Sequence, residues 1–268
     1  MLQIIPIINN KGGVGKTTTT VNLAAGLAQR DKRVLLIDLD SQGSASLALG
    51  VAHDDLTPSV ADVLFEKADV DAVIRTSSRS NLDLLTGSLD LANADLQLRK
   101  NKRSAWQLKQ ILTPLRDTYD VMLVDCAPST SALTINALIA ADAFMIPLTP
   151  SYLALEGVVS LGQVVRRVRQ GIGEAAPVLG IAVTMVDEGG DTEDIIRDVR
   201  KHYGGKVFDT LVRRDPALER APAHNQDIFA FAPDSDGAAD YAALLDEVEN
   251  RIERYSVVYD RLASRPDV

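Results

Sequence analysis

Two lysines, three glycines and two threonines share the stretch Asn9-Asn10-Lys11-Gly12-Gly13-Val14-Gly15-Lys16-Thr17-Thr18, which has the chemistry to hold a phosphate chain. Gly12, Gly13 and Gly15, with Val14 among them, let the backbone turn so that N–H groups face an anion, and a helix starting near Lys16 adds a favourable dipole. Lys16 would neutralise the β- and γ-phosphates of a nucleoside triphosphate, and the Thr17 hydroxyl, with Thr18 beside it, would serve Mg²⁺. The spacing departs from the general GxxxxGK[ST] pattern at Asn10, where that pattern has glycine, and it adds Lys11. Two lysines are more than a single triphosphate needs, so Lys11 either serves another site or is a solvated loop residue.

Carboxylates follow at the ends of two apolar runs. Ile37-Asp38-Leu39-Asp40-Ser41-Gln42-Gly43 closes one, and Val121–Val124 runs into Asp125, with Cys126-Ala127-Pro128-Ser129 after it. Acids at strand ends beside a phosphate loop can hold Mg²⁺ through water and orient an attacking water. A single such aspartate is more often a cap or turn residue. The order phosphate loop, DxD, strand-end Asp points instead to function for Asp40 and Asp125 beside a nucleotide, where such acids could serve Mg²⁺ with Thr17. Asp38 reads as structural support.

These residues need a scaffold that brings strand ends together. Apolar β-type runs (Leu2–Ile8, Arg33–Ile37, Leu82–Leu85, Val121–Val124, Ala143–Pro147, Val178–Thr184) alternate with helical patterns (Thr17–Arg30, Ser104–Arg116, Thr134–Ala141, Leu155–Gln170, Thr192–Tyr203). Unbroken apolar strands such as VLLID and VMLVD are expected where helices cover both faces of a mostly parallel sheet. The fold class expected is therefore a doubly wound α/β fold with its ligand at the carboxyl ends of the strands. Residues 1–254 read as one domain. A C-terminal helical stripe of Leu244, Leu245, Val248, Ile252, Tyr255, Tyr259 and Leu262 is expected to pack on the core, with residues 255–268 as an extension.

Bulk properties narrow the class. The chain has 268 residues, 46% apolar and 24% charged, which suits a soluble globular domain. One cysteine, Cys126, excludes a disulfide framework or a cysteine-rich metal site and reads as a small packed residue. The short apolar start has no basic flank and reads as a strand rather than a signal peptide. No apolar run reaches the ~18 residues of a membrane span. His53, His202 and His224 show no ligand spacing, and Trp106 falls on an amphipathic helix as a core residue. The formal charge of −9 opposes nucleic-acid binding by the molecule as a whole, so DNA contact would need a local basic patch.

The early lysine makes the loop resemble the deviant Walker A pattern, xKGGxGK[ST], of the family that includes ParA, MinD and the nitrogenase iron proteins. That resemblance implies a P-loop ATPase using ATP/ADP and Mg²⁺, in which two subunits face each other across two nucleotides. It implies Lys11 as a lysine acting on the opposite subunit's phosphates and Lys16 as the lysine of its own site. Asp40 would position the hydrolytic water, and Asp125 would be the Mg²⁺-side carboxylate. Ser41 and Ala127 stand where the family usually has proline. A nitrogenase-type cluster would need two cysteines per subunit, so that branch is excluded.

Thr134-Ile135-Asn136-Ala137-Leu138, Ile146-Pro147-Leu148-Thr149-Pro150, Tyr152-Leu153-Ala154-Leu155-Glu156-Gly157 and Val183-Thr184-Met185-Val186-Asp187 are similar to the Soj-type chromosomal ParA pattern. Similarity runs from about residue 2 to about residue 250, and no helix-turn-helix segment precedes the loop, as in the short ParA class. Leu211-Val212-Arg213-Arg214 and Glu219-Arg220-Ala221-Pro222 correspond to a segment that encloses the adenine, which places Met185, Arg213 and Pro222 near the base. The resemblance further implies an ATP-dependent homodimer, nonspecific double-stranded DNA and a ParB-like centromere-binding protein as partners, no membrane, and a cytoplasmic, nucleoid-associated location. Candidate DNA contacts are Arg197, Arg200 and Lys201, which share one helical face, with Arg213, Arg214 and Arg220 beyond. An ordinary solvated face is the alternative for the first three, and also for the cluster Arg166, Arg167 and Arg169. Arg213 replaces a usual proline, and Glu188-Gly189-Gly190 stands where a family arginine is expected. A MinD-like or protein-cargo positioning ATPase, or a ligase sharing the loop, are the competing readings.

Overall fold

Side chains on the central strands alternate between two apolar layers, because successive residues of a strand point to opposite faces. Ile4, Leu35, Ile37, Met122 and Val124 enter one core, and Ile5, Ile7, Val34, Leu36, Val121 and Leu123 enter the other. Both faces are covered, so the strands read as continuous apolar runs.

The computed structural model describes residues 2–98, 102–172, 175–187, 189 and 192–263. Its strands are β1 (Ile4–Ile7), β2 (Val34–Leu39), β3 (Arg75–Thr76), β4 (Leu82–Leu85), β5 (Val121–Cys126), β6 (Phe144–Leu148), β7 (Val178–Val186) and β8 (Val207–Arg213). Among the described residues they form one eight-stranded sheet in the order β3-β4-β2-β5-β1-β6-β7-β8, parallel throughout except for the short β3–β4 pair. The α-helices are α1 (Lys16–Gln29), α2 (Ser44–Ala48), α3 (Val60–Leu64), α4 (Val70–Val73), α5 (Ala94–Leu98), α6 (Gln107–Leu112), α7 (Ala132–Ala140), α8 (Tyr152–Ile172), α9 (Thr192–Tyr203), α10 (Pro216–Arg220), α11 (Ile228–Phe231) and α12 (Asp236–Ala263). The doubly wound α/β fold expected from the alternation is the fold observed. No described helix is long and apolar enough to cross a membrane.

β1 lies between β5 and β6, where the strand order reverses direction. Such a switch point leaves a crevice at the carboxyl ends of the strands. The glycine loop follows β1 there, and the DxD segment and Asp125 close β2 and β5 beside it.

Two local differences from the sequence reading have clear causes. The helix expected over Ser104–Arg116 is broken into a 3₁₀ turn (Lys102–Trp106), α6, and a second 3₁₀ turn (Pro114–Asp117). Pro114 lacks an N–H and cannot continue the α-helical ladder. The second difference is β8, which the sequence reading did not assign as a strand. It lies at the edge of the sheet, and side chains from neighbouring helices take its backbone groups. Glu247 accepts from the Asp209 and Thr210 amides, Asp240 accepts from the Arg213 amide, and Arg251 and Arg200 donate to the Val207 and Asp209 carbonyls. An edge occupied in this way is a poor template for a foreign strand.

The C-terminal helix packs on the core, as its apolar stripe requires. Tyr241, Leu244, Leu245 and Val248 are buried, and Ile252 and Tyr255 lie against the same cluster. Trp106 packs against the opposite core, and Cys126 is buried there. The side chains of Tyr152–Gly157 lie outside the described residues, as do Glu188 and Gly190 of the Glu188–Gly190 segment and residues 264–268 of the tail.

Candidate nucleotide site

The glycine loop turns through two left-handed residues, Gly13 at φ 70° and Gly15 at φ 75°, which glycine adopts without steric cost. Gly15 is the N-cap of α1, with no side-chain cap and no acid in the first turn. A Cβ at Gly12 or Gly13 would meet nothing within 4 Å, so space opens in front of the loop. Among the described residues, the amides of Gly13, Val14, Gly15 and Lys16 find no acceptor within the chain. Uncapped amides at a helix N-terminus beside open space form a cradle suited to an anion.

Lys16 is buried, and its Nζ donates to the Lys11 carbonyl at 2.9 Å. Burial lowers the pKa of this ammonium, and the nearby Asp125, Cys126 and Asp40 oppose that shift. Lys11 points elsewhere: its Nζ donates to Ser151 Oγ at 3.2 Å, just before α8, while its amide donates to Asn9 Oδ1. The two lysines thus have separate surroundings. The loop is tied to the sheet by Asn9, which donates to the Pro147 carbonyl, and by Thr184, whose hydroxyl donates to the Val14 carbonyl.

Thr17 Oγ1 donates to Asp125 Oδ2 at 2.7 Å, and Thr20 Oγ1 donates to Oδ1 at 3.2 Å. Asp125 is fully buried, and its carboxyl is pushed up to about 8 by burial and by the neighbouring Asp38, against the Thr17 bond and Lys16. Asp38 is buried too and is raised to about 6 by burial, although three donors reach it: the Asp40 amide, the Ser46 amide and the Ser46 hydroxyl. Those bonds make Asp38 the pin of the DxD turn. Asp40 is partly exposed, and its Oδ1 accepts from the Gln42 amide. Hard oxygen donors on Thr17, Asp125 and Asp40 suit Mg²⁺, and the cradle above them suits a triphosphate. The residues present therefore fit both groups.

Beside the loop lies a cavity of about 80 Å³ whose lining includes Gly15, Thr18, Met185, Arg213, Leu218 and Tyr241. Met185 holds a left-handed φ of 54° at the end of β7, uncommon for a residue with a side chain. Arg213 lies on the rim, paired with Asp240 and Asp236, which raise its pKa. Pro222 is exposed on the turn after α10 and does not line this cavity.

The basic candidates are dispersed. Arg197 pairs with Asp194 on α9, Arg200 donates to the Asp209 carbonyl, and Lys201 is exposed. Arg214 pairs with Asp187, and Arg220 donates to the Pro216 carbonyl with its guanidinium 5.9 Å from the Phe231 ring centre.

Sequence reasoning did not find Thr20, Thr184, Ser151, Ser46, Asp240 or Tyr241. Thr20 was recoverable, since it lies one helical turn beyond Lys16 and Thr17. The others come from segments whose approach to the loop is set only by the folded sheet.

A family model described as an AAA domain matches residues 2–176. The chain is 40% identical over 249 residues to the sporulation initiation inhibitor protein Soj of Bacillus subtilis, covering 92% of this chain and 98% of that protein. It is 40% identical over 252 residues to the chromosome-partitioning ATPase Soj of Treponema pallidum (94% and 98%), and 36% identical over 254 residues to the chromosome partitioning protein ParA of Caulobacter vibrioides (93% and 95%). Among solved structures, cobyrinic acid a,c-diamide synthase of Mycobacterium smegmatis with bound ADP and magnesium superposes with a TM-score of 0.79 at 31% identity, over 92% of this chain and 93% of that one. The cell division ATPase MinD of Pyrococcus furiosus gives 0.77 at 26% identity, over 93% and 99%. With the cradle and its carboxylates in place at the sheet's switch point, the chain belongs to the ParA/Soj family of P-loop partition ATPases.

Proposed function

We propose that this protein is a DNA-partition ATPase that takes ATP and Mg²⁺ and closes into a two-subunit sandwich when ATP is bound. It holds duplex DNA without reading its sequence and lets go when hydrolysis is stimulated by a ParB-like partner, working in the cytoplasm on the nucleoid. Residues 1–254 form the ATPase domain in this reading, with 255–268 as its C-terminal extension. The observation that carries it is the division of labour between the two lysines: Lys16 is buried under its own glycine loop, while Lys11 turns away from that loop towards Ser151.

The chain's own groups would divide the chemistry as follows. The amides of Gly13 to Lys16 and the Lys16 ammonium bind and orient the phosphates. Thr17 and Asp125, joined by a hydrogen bond from the Thr17 hydroxyl, would hold the metal. A Mg²⁺ ion held there would supply neutralising charge to the triphosphate. Asp40 orients the attacking water and accepts its proton, on a turn fixed by Asp38. Lys11 crosses to the facing subunit and adds positive charge where it develops in the transition state, as an arginine finger does. Loss of the γ-phosphate removes the contact that favours the closed pair.

Gel shift of a nonspecific duplex with ATP, ADP or no nucleotide, at two salt concentrations, tests this. Binding that requires ATP and weakens steeply with salt is the expected result. Equal binding in all three nucleotide conditions, or none in any, overturns the DNA reading.

One observation favours a second reading, a positioning ATPase whose cargo is not DNA. Arg197, Arg213 and Arg214 are each engaged by an acid, which leaves less free positive charge for phosphates. ATP-dependent dimerisation without co-sedimentation on DNA would favour this alternative.

A further inference from the structure

The C-terminal helix reaches the cavity beside the phosphate loop at three points. Asp240 Oδ2 accepts from the Arg213 amide at 2.9 Å and from its Nε at 2.9 Å, and Oδ1 accepts from Nη2 at 2.7 Å. Tyr241, the next residue, lines the cavity, and its hydroxyl lies 3.1 Å from Thr19 Oγ1 of α1. At the start of α12, the Gly237 amide donates to Asp215 Oδ2 at 2.8 Å, and a Cβ at Gly237 would come within 2.9 Å of Leu218 Cγ. Two walls of the cavity, the end of β8 with α10 and the face of Tyr241, are therefore locked to one another through the first turns of α12.

The lock at Asp240 has more contacts than an ordinary surface pair, although the Arg213 side chain is 40% exposed. The Asp240 side chain is 12% exposed, and it meets the guanidinium through two nitrogens while also taking a backbone N–H. Asp236 takes the remaining arm of Arg213 at 3.0 Å. A planar guanidinium held by its edge at a cavity rim can offer its face to an aromatic ring.

We propose that Asp240 is a positioning residue for the purine nucleoside portion of the nucleotide. It fixes both the backbone and the guanidinium of Arg213, and so it holds the wall of the base cavity. α12 thereby sets affinity for the nucleoside without touching the triphosphate. The inference rests on the reading of this cavity as the place of the base.

Calorimetric titration of the full chain with Mg-ATP and with Mg-tripolyphosphate separates the two parts of the ligand. Asp240→Ala is expected to weaken ATP by about tenfold, while tripolyphosphate affinity changes less than about twofold because the loop is left intact. Asp240→Asn keeps the size and one acceptor for the Arg213 amide, and should fall between wild type and alanine; it carries the test if alanine misfolds. Arg213→Pro removes both the guanidinium and the N–H at a position whose amide is not used in the sheet ladder. In that background Asp240→Ala should add nothing, since its partner is gone. Equal loss for both ligands, or additive losses in the double variant, overturns the positioning role. Leu218→Trp, which fills the cavity, tests the underlying reading separately. Unchanged ATP affinity there rejects the cavity as the base's place. A weakened Leu218→Trp beside an unaffected Asp240→Ala rejects only the proposal for Asp240.

Discussion

Asp38 and Asp125 stand opposite each other in register on the adjacent strands β2 and β5, both buried. Two carboxylates side by side in a dry interior are tolerated only if each is served by donors. Their donors differ in kind. Asp38 is served by the DxD turn and by Ser46, whereas Asp125 is served by hydroxyls of the phosphate-loop helix. One acid therefore holds a turn in shape, and the other is joined to the groups that would meet a metal.

Asp38→Asn would place an amide group against donors that now meet an acceptor. We expect a loss of about 1–3 kcal/mol in urea unfolding, the cost of unsatisfied buried groups, together with slower hydrolysis because Asp40 is displaced. An Asp38→Asn protein as stable and active as wild type would remove the pin.

Gly87 faces the same turn. A Cβ there would lie 2.5 Å from the Asp40 carbonyl and 2.9 Å from Asp38 Cγ, and the backbone contact cannot move away cheaply. Gly87→Ala should destabilise by about 1–3 kcal/mol through overpacking and should depress hydrolysis more than ATP binding. Denaturant melts and steady-state kinetics on one preparation read both.

Thr17→Ala removes the hydroxyl between the loop helix and Asp125. The Mg²⁺ concentration needed for half-maximal hydrolysis should rise by about 10–100-fold, with ATP binding in the absence of metal little changed. An unaltered Mg²⁺ titration would take Thr17 out of the metal site.

Lys11 and Asp40 should fail in opposite directions. Lys11→Ala is expected to bind ATP yet form no ATP-dependent dimer, as light scattering would report. Asp40→Ala should dimerise and stay on DNA, with turnover slowed by about 100-fold or more. A Lys11→Ala protein that dimerises and turns over normally, or an Asp40→Ala protein that cycles at the wild-type rate, contradicts the assigned role.

Glu247 links stability to pH at the sheet edge. Burial alone would raise its carboxyl, but bonds from the Thr210 hydroxyl and the Asp209 and Thr210 amides outweigh that and hold it below its ordinary 4.5. A depressed folded-state value means that the stabilisation is fully present above the unfolded value and is lost as pH falls through the folded one. The stability advantage of wild type over Glu247→Gln should be constant near neutrality and shrink below about pH 4.5. A pH-independent difference would mean that the ionised carboxylate is not what holds β8.

Much of the candidate site was legible because phosphate chemistry constrains local sequence. Gly12, Gly13 and Gly15 must be small for the backbone to turn, Lys16 and Thr17 must follow at the helix start, and Asp40 and Asp125 must end strands. Those requirements leave a pattern within a few residues, so residue type and spacing suffice. The apolar runs fixed the sheet's two covered faces for the same reason. Strand β8 was harder to read, since VFDTLVR carries an aspartate and an arginine within the strand and depends on Glu247, Asp240 and Arg251 to complete its backbone bonding.

From the sequence alone came the glycine loop, the strand-end acids proposed for the metal, the parallel core and the family. Each is encoded by neighbours along the chain or by a strand's period of two. The folded structure alone decided which distant groups complete them: Ser151 for Lys11, Ser46 for Asp38, and Asp240 and Tyr241 for the cavity beside the loop. Such pairings join residues up to 222 positions apart, as with Thr19 and Tyr241, and nothing in local spacing specifies them. They are set by strand order and by the path of α12 across the sheet, which exist only once the core has closed.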